Sequence, residues 1–252
     1  MSSPQLKIIG HRGFPSDYPE NSLTGILAAI EAGVHGIEID IQARRDGVPI
    51  VMHDNTLERV TGIRGKLSEY DYEVLRMFSA HEPSRFEQKF LPEPILTLES
   101  LAEKMVAYPA VQLFVEIKPD VFKLHDREIF IARVWQLLEG LSNPIVIISY
   151  DEEVLKIARR EFFCSIGWVL SRYNNAAKLS AEALNPDYMI CNYKKFPKNK
   201  EALWQGDWKW FAYDIVDIDV TKKLINRGVQ YIETWNADKL IKELVACEKL
   251  VN

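Results

Sequence analysis

The strongest constraint on this chain is a rhythm. Short apolar runs that read as strands lie at 6–10, 37–41, 111–117, 144–149, 165–170, 188–192, 209–214 and 230–233. Amphipathic stretches fill the gaps. Leu23, Ile26, Leu27 and Ile30 share one helical face, and helical spacing returns at 98–107, 126–141, 152–161, 174–184, 198–204, 220–227 and 238–251. Asn21 or Ser22, and later Thr97, are the residue types that cap a helix start, while Gly33 suits a helix end. Repeated strand–helix units build a parallel sheet through right-handed crossovers. Eight such units predict a closed (β/α)8 TIM barrel, and 252 residues is a usual length for one. An open doubly wound sheet needs a glycine-rich phosphate turn after its first strand, and Gly10-His11-Arg12-Gly13 does not supply it.

The rhythm is interrupted twice. Asp46-Gly47 stands between two apolar runs, the strongest short signal for a two-residue hairpin turn. That register places Arg45 opposite Val48 and Asp40 opposite His53. The stretch 55–94 then breaks the alternation with Gly62, Gly65, Pro83, Pro92 and Pro94. It holds one helical pattern near 68–78, and His81, read as an exposed loop residue. We expect a single domain over 1–252 carrying an inserted subdomain at about 55–94, since long excursions from compact domains usually serve function.

Barrel sites lie where strands end. The first strand ends in His11-Arg12, the second in Glu38-Ile39-Asp40, and the third barrel strand in Glu116-Ile117-Lys118. Side chains alternate along a strand, so Glu38 and Asp40 share a face, as do Glu116 and Lys118. Ionisable groups inside a barrel are costly unless they pair or bind an ion. Three carboxylates without cysteine favour Mg2+ or Ca2+ over Zn2+. A cation there, beside Arg12 and Lys118, makes a receptor for an anionic group such as phosphate. His11 and His53 then flank it as proton donor and acceptor. The sum is metal-assisted phosphodiester cleavage. A zinc amidohydrolase barrel calls for His-x-His on its first strand, and that motif is not there.

Composition narrows the setting. A net charge of −5 offers no general basic surface for nucleic acid. Cys164, Cys191 and Cys247 are scattered, read as small buried hydrophobes, and fit a reducing compartment. The first residues carry no signal-peptide core, and no apolar run is long enough to span a membrane. The expectation is a cytoplasmic protein without stable membrane insertion. Its oligomeric state stays open.

His11-Arg12-Gly13, Pro19-Glu20-Asn21-Ser22, Glu38-Ile39-Asp40, Asp46-Gly47, His53-Asp54 and Glu116-Ile117-Lys118 together resemble the glycerophosphodiester phosphodiesterase family. The motifs run over residues 8–119; beyond them the likeness is looser. The resemblance implies a (β/α)8 barrel with a small inserted subdomain. It also implies hydrolysis of glycerophosphodiesters to glycerol 3-phosphate and an alcohol with one divalent cation. It casts Glu38, Asp40 and Glu116 as metal ligands, His11 and His53 as the acid–base pair, and Arg12 and Lys118 as phosphate contacts. Glu20 and Asn21 match as well and read mainly as local, capping the first helix and shaping the His11 loop. Phe211-Ala212-Tyr213-Asp214 and Thr234-Trp235 depart from the family's Trp-Thr-Val-Asn and Thr-Asp, which leaves the alcohol open. Trp210, Phe211, Tyr213 and Trp235 are candidates to wall its pocket, even for a choline-like cation. Two other readings compete. A lysophospholipase D-like enzyme acting on lipids would use Phe86, Phe90 and Leu91 as an apolar rim. A non-catalytic phosphate-binding barrel would lack one of the histidines or carboxylates, and all are present.

Overall fold

The computed structural model describes residues 6–198 and 202–249. Nine strands form one sheet: β1 (Lys7–His11), β2 (Gly36–Ala43), β3 (Pro49–Val51), β4 (Gln112–Ile117), β5 (Ile145–Ser149), β6 (Ser165–Val169), β7 (Tyr188–Asn192), β8 (Lys209–Tyr213) and β9 (Val229–Thr234). All pair in parallel except β3, and β1 pairs with both β2 and β9, which closes an eight-stranded barrel. Helices pack between the strands: α1 (Leu23–Glu31), then α2 (Glu58–Thr61), α3 (Tyr72–Leu75), α4 (Pro83–Phe86), α5 (Leu98–Met105), α6 (Arg127–Leu138), α7 (Glu152–Phe162), α8 (Asn175–Leu184), α9 (Ile218–Ile225) and α10 (Ala237–Lys249). This is the (β/α)8 barrel that the rhythm predicts. Among the described residues, no helix is long and apolar enough to cross a membrane.

Strand periodicity sorts the core into two shells. Ile37, Ile39 and Ile41 of β2, with Leu113, Val115 and Ile117 of β4, face outward into the helix layer. The alternate residues face inward. Ile9, Phe114, Val146, Ile148, Val169, Tyr188, Ile190, Phe211 and Tyr231 fill the barrel axis. Phe114 stands edge-on to Phe211 and Tyr188, with ring centroids 4.9 and 5.2 Å away. The interior is therefore a packed plug.

Three expectations about local structure change. First, the β2–β3 register is one residue off. Ile41 pairs with Val51 and Ala43 with Pro49, and Met52 N donates to Asp40 O. Asp40 thus faces Met52, not His53. The cause is the turn: Arg44 N donates to Val48 O and Gly47 N to Arg44 O, enclosing a loop of Arg45, Asp46 and Gly47. Gly47 has φ +77°, the left-handed residue that a three-residue hairpin loop requires. Second, the helical pattern near 68–78 breaks into a 3-10 turn at Leu67–Glu69 and the short α3. Third, residues 199–201 of the helix expected at 198–204 lie outside the described residues, and the flanking residues are not helical.

Residues 55–94 carry α2, α3 and α4. Leu57, Val60, Leu67, Leu75 and Ala80 pack there with Ile50 and Met52 into a separate small cluster. His81 is half-buried, with Nδ1 3.0 Å from Ser79 O. Cys164 and Cys191 are buried as expected, while Cys247 is only half-buried.

Candidate active site

At the C-terminal end of the barrel the inward positions switch from apolar to ionisable. Each of the four strands β1, β2, β4 and β9 delivers at least one ionisable group: His11, then Glu38 and Asp40, then Glu116, with Lys118 one step beyond its strand, and Glu233. All are buried. Register does the gathering, since His11 pairs with Glu38 and Asp40 with Glu116. They line a cavity of about 380 Å³ together with Arg12, His53, Tyr150, Asn192, Tyr213, Asp214 and Trp235, over a floor of Ile148, Val169, Ile190 and Phe211.

The HRG segment is placed by α1. Ser22 caps that helix, its Oγ accepting from Gly25 N at 2.9 Å. Gly13 has φ +88°, and a Cβ there would lie 2.8 Å from the α1 backbone, so only glycine lets the loop pass so close. Asn21 does not cap the helix. It also has positive φ, and its side chain grips Asp40 twice: Nδ2 donates to Oδ2 at 2.9 Å, and Oδ1 accepts from Asp40 N at 3.2 Å. Glu20 is equally engaged. Arg12 Nη1 reaches it at 3.2 Å, and Arg59 of α2 clasps both its oxygens at 2.7 Å. Both residues hold the His11 loop, as expected, through Arg12, but neither caps α1, and both also reach into the site's framework.

His53 reaches the cavity by a different route from the one its predicted register supplied. The chain leaves the ladder after Val51, and Gln42 Nε2 holds the His53 carbonyl at 3.0 Å. Asp54 Oδ1 lies 2.7 Å from His53 Nδ1, and Arg59 Nε donates to Asp54 Oδ2 at 2.7 Å. An unbroken chain of contacts thus runs from His53 through Asp54, Arg59 and Glu20 to Arg12. The hydrogen bond from His53, with help from Arg59, outweighs partial burial and holds the Asp54 carboxyl below its ordinary range.

Glu38, Asp40 and Glu116 bring carboxylate oxygens within 4.8 Å of one another, a donor set of the kind hard divalent cations take. Lys118 Nζ sits between two of them, 2.6 Å from Asp40 Oδ1 and 2.7 Å from Glu116 Oε1. Arg12 Nε lies 3.0 Å from Asp40 Oδ2. Burial alone would raise the Asp40 carboxyl, but Lys118 and Arg12 overcome it and hold the group below its ordinary value. Glu38 goes the other way. Burial first, then the charges of Asp40 and Glu233, push it well up. Its Oε1 is buried without a hydrogen-bond partner, so the set has an acceptor to spare for a cation. Burial also lowers His11, with Arg12 adding to the effect.

The aromatic wall divides. Tyr213 and Trp235 line the cavity, Phe211 lies in its floor, and Trp210 packs outside the barrel with Tyr173, Phe196 and Trp204. Trp235 Nε1 donates to Asp214 Oδ1 at 3.0 Å, Asn192 Nδ2 to Asp214 Oδ2 at 2.6 Å, and the Tyr150 and Tyr213 hydroxyls meet at 3.0 Å. Sequence reasoning overlooks Glu233, Asn192 and Arg59, and it quotes Asp54 and Asp214 within motifs without giving them a place in the site. Glu233 was within reach of the same two-residue period, because it follows Tyr231 on the inward face of β9. Asp54 and Arg59 carry no periodic signal, since they sit where the ladder has ended.

Comparison with known proteins adds an independent line. A profile of the Glycerophosphoryl diester phosphodiesterase family matches residues 11–162. Glycerophosphodiester phosphodiesterase 1 of Homo sapiens is 30% identical over 151 residues, 60% of this chain and 44% of that protein. The chain thus spans under half the length of that relative. A glycerophosphodiester phosphodiesterase of Caldanaerobacter subterraneus is 25% identical over 240 residues, 93% of this chain and 96% of that one. Among solved structures, an Oleispira antarctica phosphodiesterase in complex with the product sn-glycerol-3-phosphate superposes with a TM-score of 0.83 at 25% identity, covering 95% of this chain and 97% of that one.

Proposed function

We propose, from the premise that this chain belongs to the glycerophosphoryl diester phosphodiesterase family, that it hydrolyses glycerophosphodiesters to glycerol 3-phosphate and an alcohol. The observation that carries this is the meeting of three carboxylates, two cations and two histidines at one barrel end. Glu38, Asp40 and Glu116 hold one divalent cation, Mg2+ or Ca2+. That cation neutralises charge on the phosphodiester oxygens when bound. Arg12 and Lys118 are the phosphate contacts. They now pair with the carboxylates, and an arriving anion shares them. His11 and His53 divide the proton work. One imidazole takes a proton from the water that attacks phosphorus; the other gives one to the alkoxide as its P–O bond breaks. Asp54 sets the tautomer of His53 by holding Nδ1, which leaves Nε2 for the substrate. Residues 55–94 act as an inserted subdomain that supplies Arg59, and hence the clamp on Glu20 and Asp54.

The test is a panel of phosphodiesters with product identification, run with and without chelator. We expect glycerol 3-phosphate plus alcohol from glycerophosphodiesters, loss of turnover on chelation, and recovery with Mg2+ or Ca2+. Full turnover in the metal-stripped protein would refute metal dependence. A lysophospholipase D-like activity is the second reading. Phe86 and Phe90 stack edge-to-face at 5.1 Å on the insertion, Lys89 lies 4.7 Å over Phe90, and the neighbouring Leu91 is 47% exposed. A lysophospholipid in the same panel separates the two readings.

A further inference from the structure

The cation site above leaves part of the barrel's charge unexplained. Asp40 has Lys118, Arg12 and Asn21. Glu116 has Lys118. Glu233 faces the same space from β9, is buried, and its Oε1 has no hydrogen-bond partner. Such an acceptor is expensive to bury unless something positive meets it. What it faces is His11: Nε2 lies 4.0 Å from Glu233 Oε1 and 4.0 Å from Glu38 Oε2. Ligand atoms of His11, Glu38 and Glu233 all fall within 4.8 Å of one another. A four-coordinate ion with bonds of about 2.0–2.2 Å holds its donors roughly 3.4 Å apart. Small side-chain rotations close that difference.

The other face of the imidazole is prepared as well. His11 Nδ1 is buried without a hydrogen-bond partner, and Asp214 Oδ1 lies 3.7 Å from it. Trp235 and Asn192 anchor the two oxygens of that carboxylate. Metal-bound histidines characteristically pass their second ring N–H to such a group, which fixes the tautomer and aims the lone pair at the ion. With Nδ1–H turned to Asp214, the lone pair would lie on Nε2, the atom facing Glu38 and Glu233.

We propose that His11, Glu38 and Glu233 form a second divalent-cation site, adjoining the first through Glu38 and selective for ions that accept imidazole, such as Zn2+ or Mn2+, over Mg2+. Hard cations prefer all-oxygen sets, whereas a nitrogen and two carboxylates suit Zn2+. Filling the site occupies the lone pair of His11 and so inhibits turnover. This last consequence rests on the acid–base role proposed for His11; the site itself does not.

The count of bound ions tests it. Zn2+ titrated calorimetrically into the Mg2+-saturated full chain should show one equivalent in wild type and none in Glu233→Gln. No equivalent in wild type, or equal counts in wild type and Glu233→Gln, overturns the proposal. Wild type also tests it without substitution. At two equivalents of Mn2+, electron paramagnetic resonance should show a coupled pair, because ions in such two-metal sites lie about 3.5–4 Å apart. A spectrum of isolated ions overturns it. Excess Zn2+ should inhibit the Mg2+-loaded wild type, and Glu233→Gln should need at least tenfold more for the same inhibition. Turnover without Mg2+ would remove the first metal from the proposed reaction and leave the Zn2+ count untouched, so the two failures are distinguishable.

Discussion

His11 and His53 differ in their surroundings more than in their chemistry. His11 is buried at the barrel wall, and His53 hangs from the insertion side with Asp54 behind it. Hydrolysis needs a base for the nucleophile and an acid for the leaving alkoxide, and acid–base groups of this kind contribute about 10²–10⁴-fold each. Both alanine variants should lose activity of that order on a natural glycerophosphodiester. A nitrophenolate leaves without protonation. On a nitrophenyl diester the variant lacking the acid should therefore recover most of its rate, and the variant lacking the base should not. Identical responses from His11→Ala and His53→Ala would sink the division of labour. His11 was legible because it sits at a strand end, whereas His53 was placed by a hairpin register that the structure does not keep. The partners of His53 were not legible, because Asp54 and Arg59 meet through a loop and a four-residue helix whose packing no local pattern encodes.

At the level of elements, the hairpin shows how a sound signal gives a wrong register. Asp-Gly does mark the β2–β3 turn, and Gly47 does take a positive φ. The loop has three residues instead of two, and one residue of slip moves every partner. His53 nonetheless reaches the cavity, held by Gln42 and Asp54 and not by the ladder. So Gly47→Val should act on stability and leave the turnover of folded molecules largely intact. A left-handed backbone costs a non-glycine residue about 1–2 kcal/mol. The new Cβ would also lie 2.5 Å from Arg133 Nη1. In a chain this long we expect a Tm loss of about 2–8 °C. Gly47→Asn should lose less, since asparagine tolerates that conformation. Equal losses for the two variants would count against the turn assignment. The strands and most helices were legible from their period, and Ser22 and Thr97 cap α1 and α5 as their types suggest, while Asp126 and Asn174, the first residues of two expected helices, turn out to cap α6 and α8. The stretch 55–94 was legible as an interruption with one helical pattern, not as the three short helices it carries.

For the molecule as a whole, the barrel end stores like charge. Burial, with Asp214 next, pushes the Glu233 carboxyl well above its ordinary value. An acid whose folded value is raised costs stability once pH passes its unfolded value near 4.3, and the cost grows until the folded value is passed. Glu233→Gln removes that cost while keeping the shape. The metal-stripped variant should therefore melt higher than metal-stripped wild type. The gap should widen as pH rises from about 5 to 7, by at most about 1.4 kcal/mol per pH unit. A gap that stays constant or narrows with pH would mean that Glu233 is not a buried acid under strain.

The cavity is lopsided. Every group assigned to the hydrolytic step lies between His11 and Lys118, on the wall built from β1, β2 and β4 with its hairpin. The family profile ends at residue 162, at the close of α7, although the fold continues through β9 and α10. From β6 onward the cavity is lined by groups that are not assigned to that step, although Asp214 and Glu233 face His11. Glu233, Asp214 and Trp235 line the cavity from that other half. Changing Glu233 would alter the response to Zn2+ proposed above while keeping every group assigned to hydrolysis in the chain.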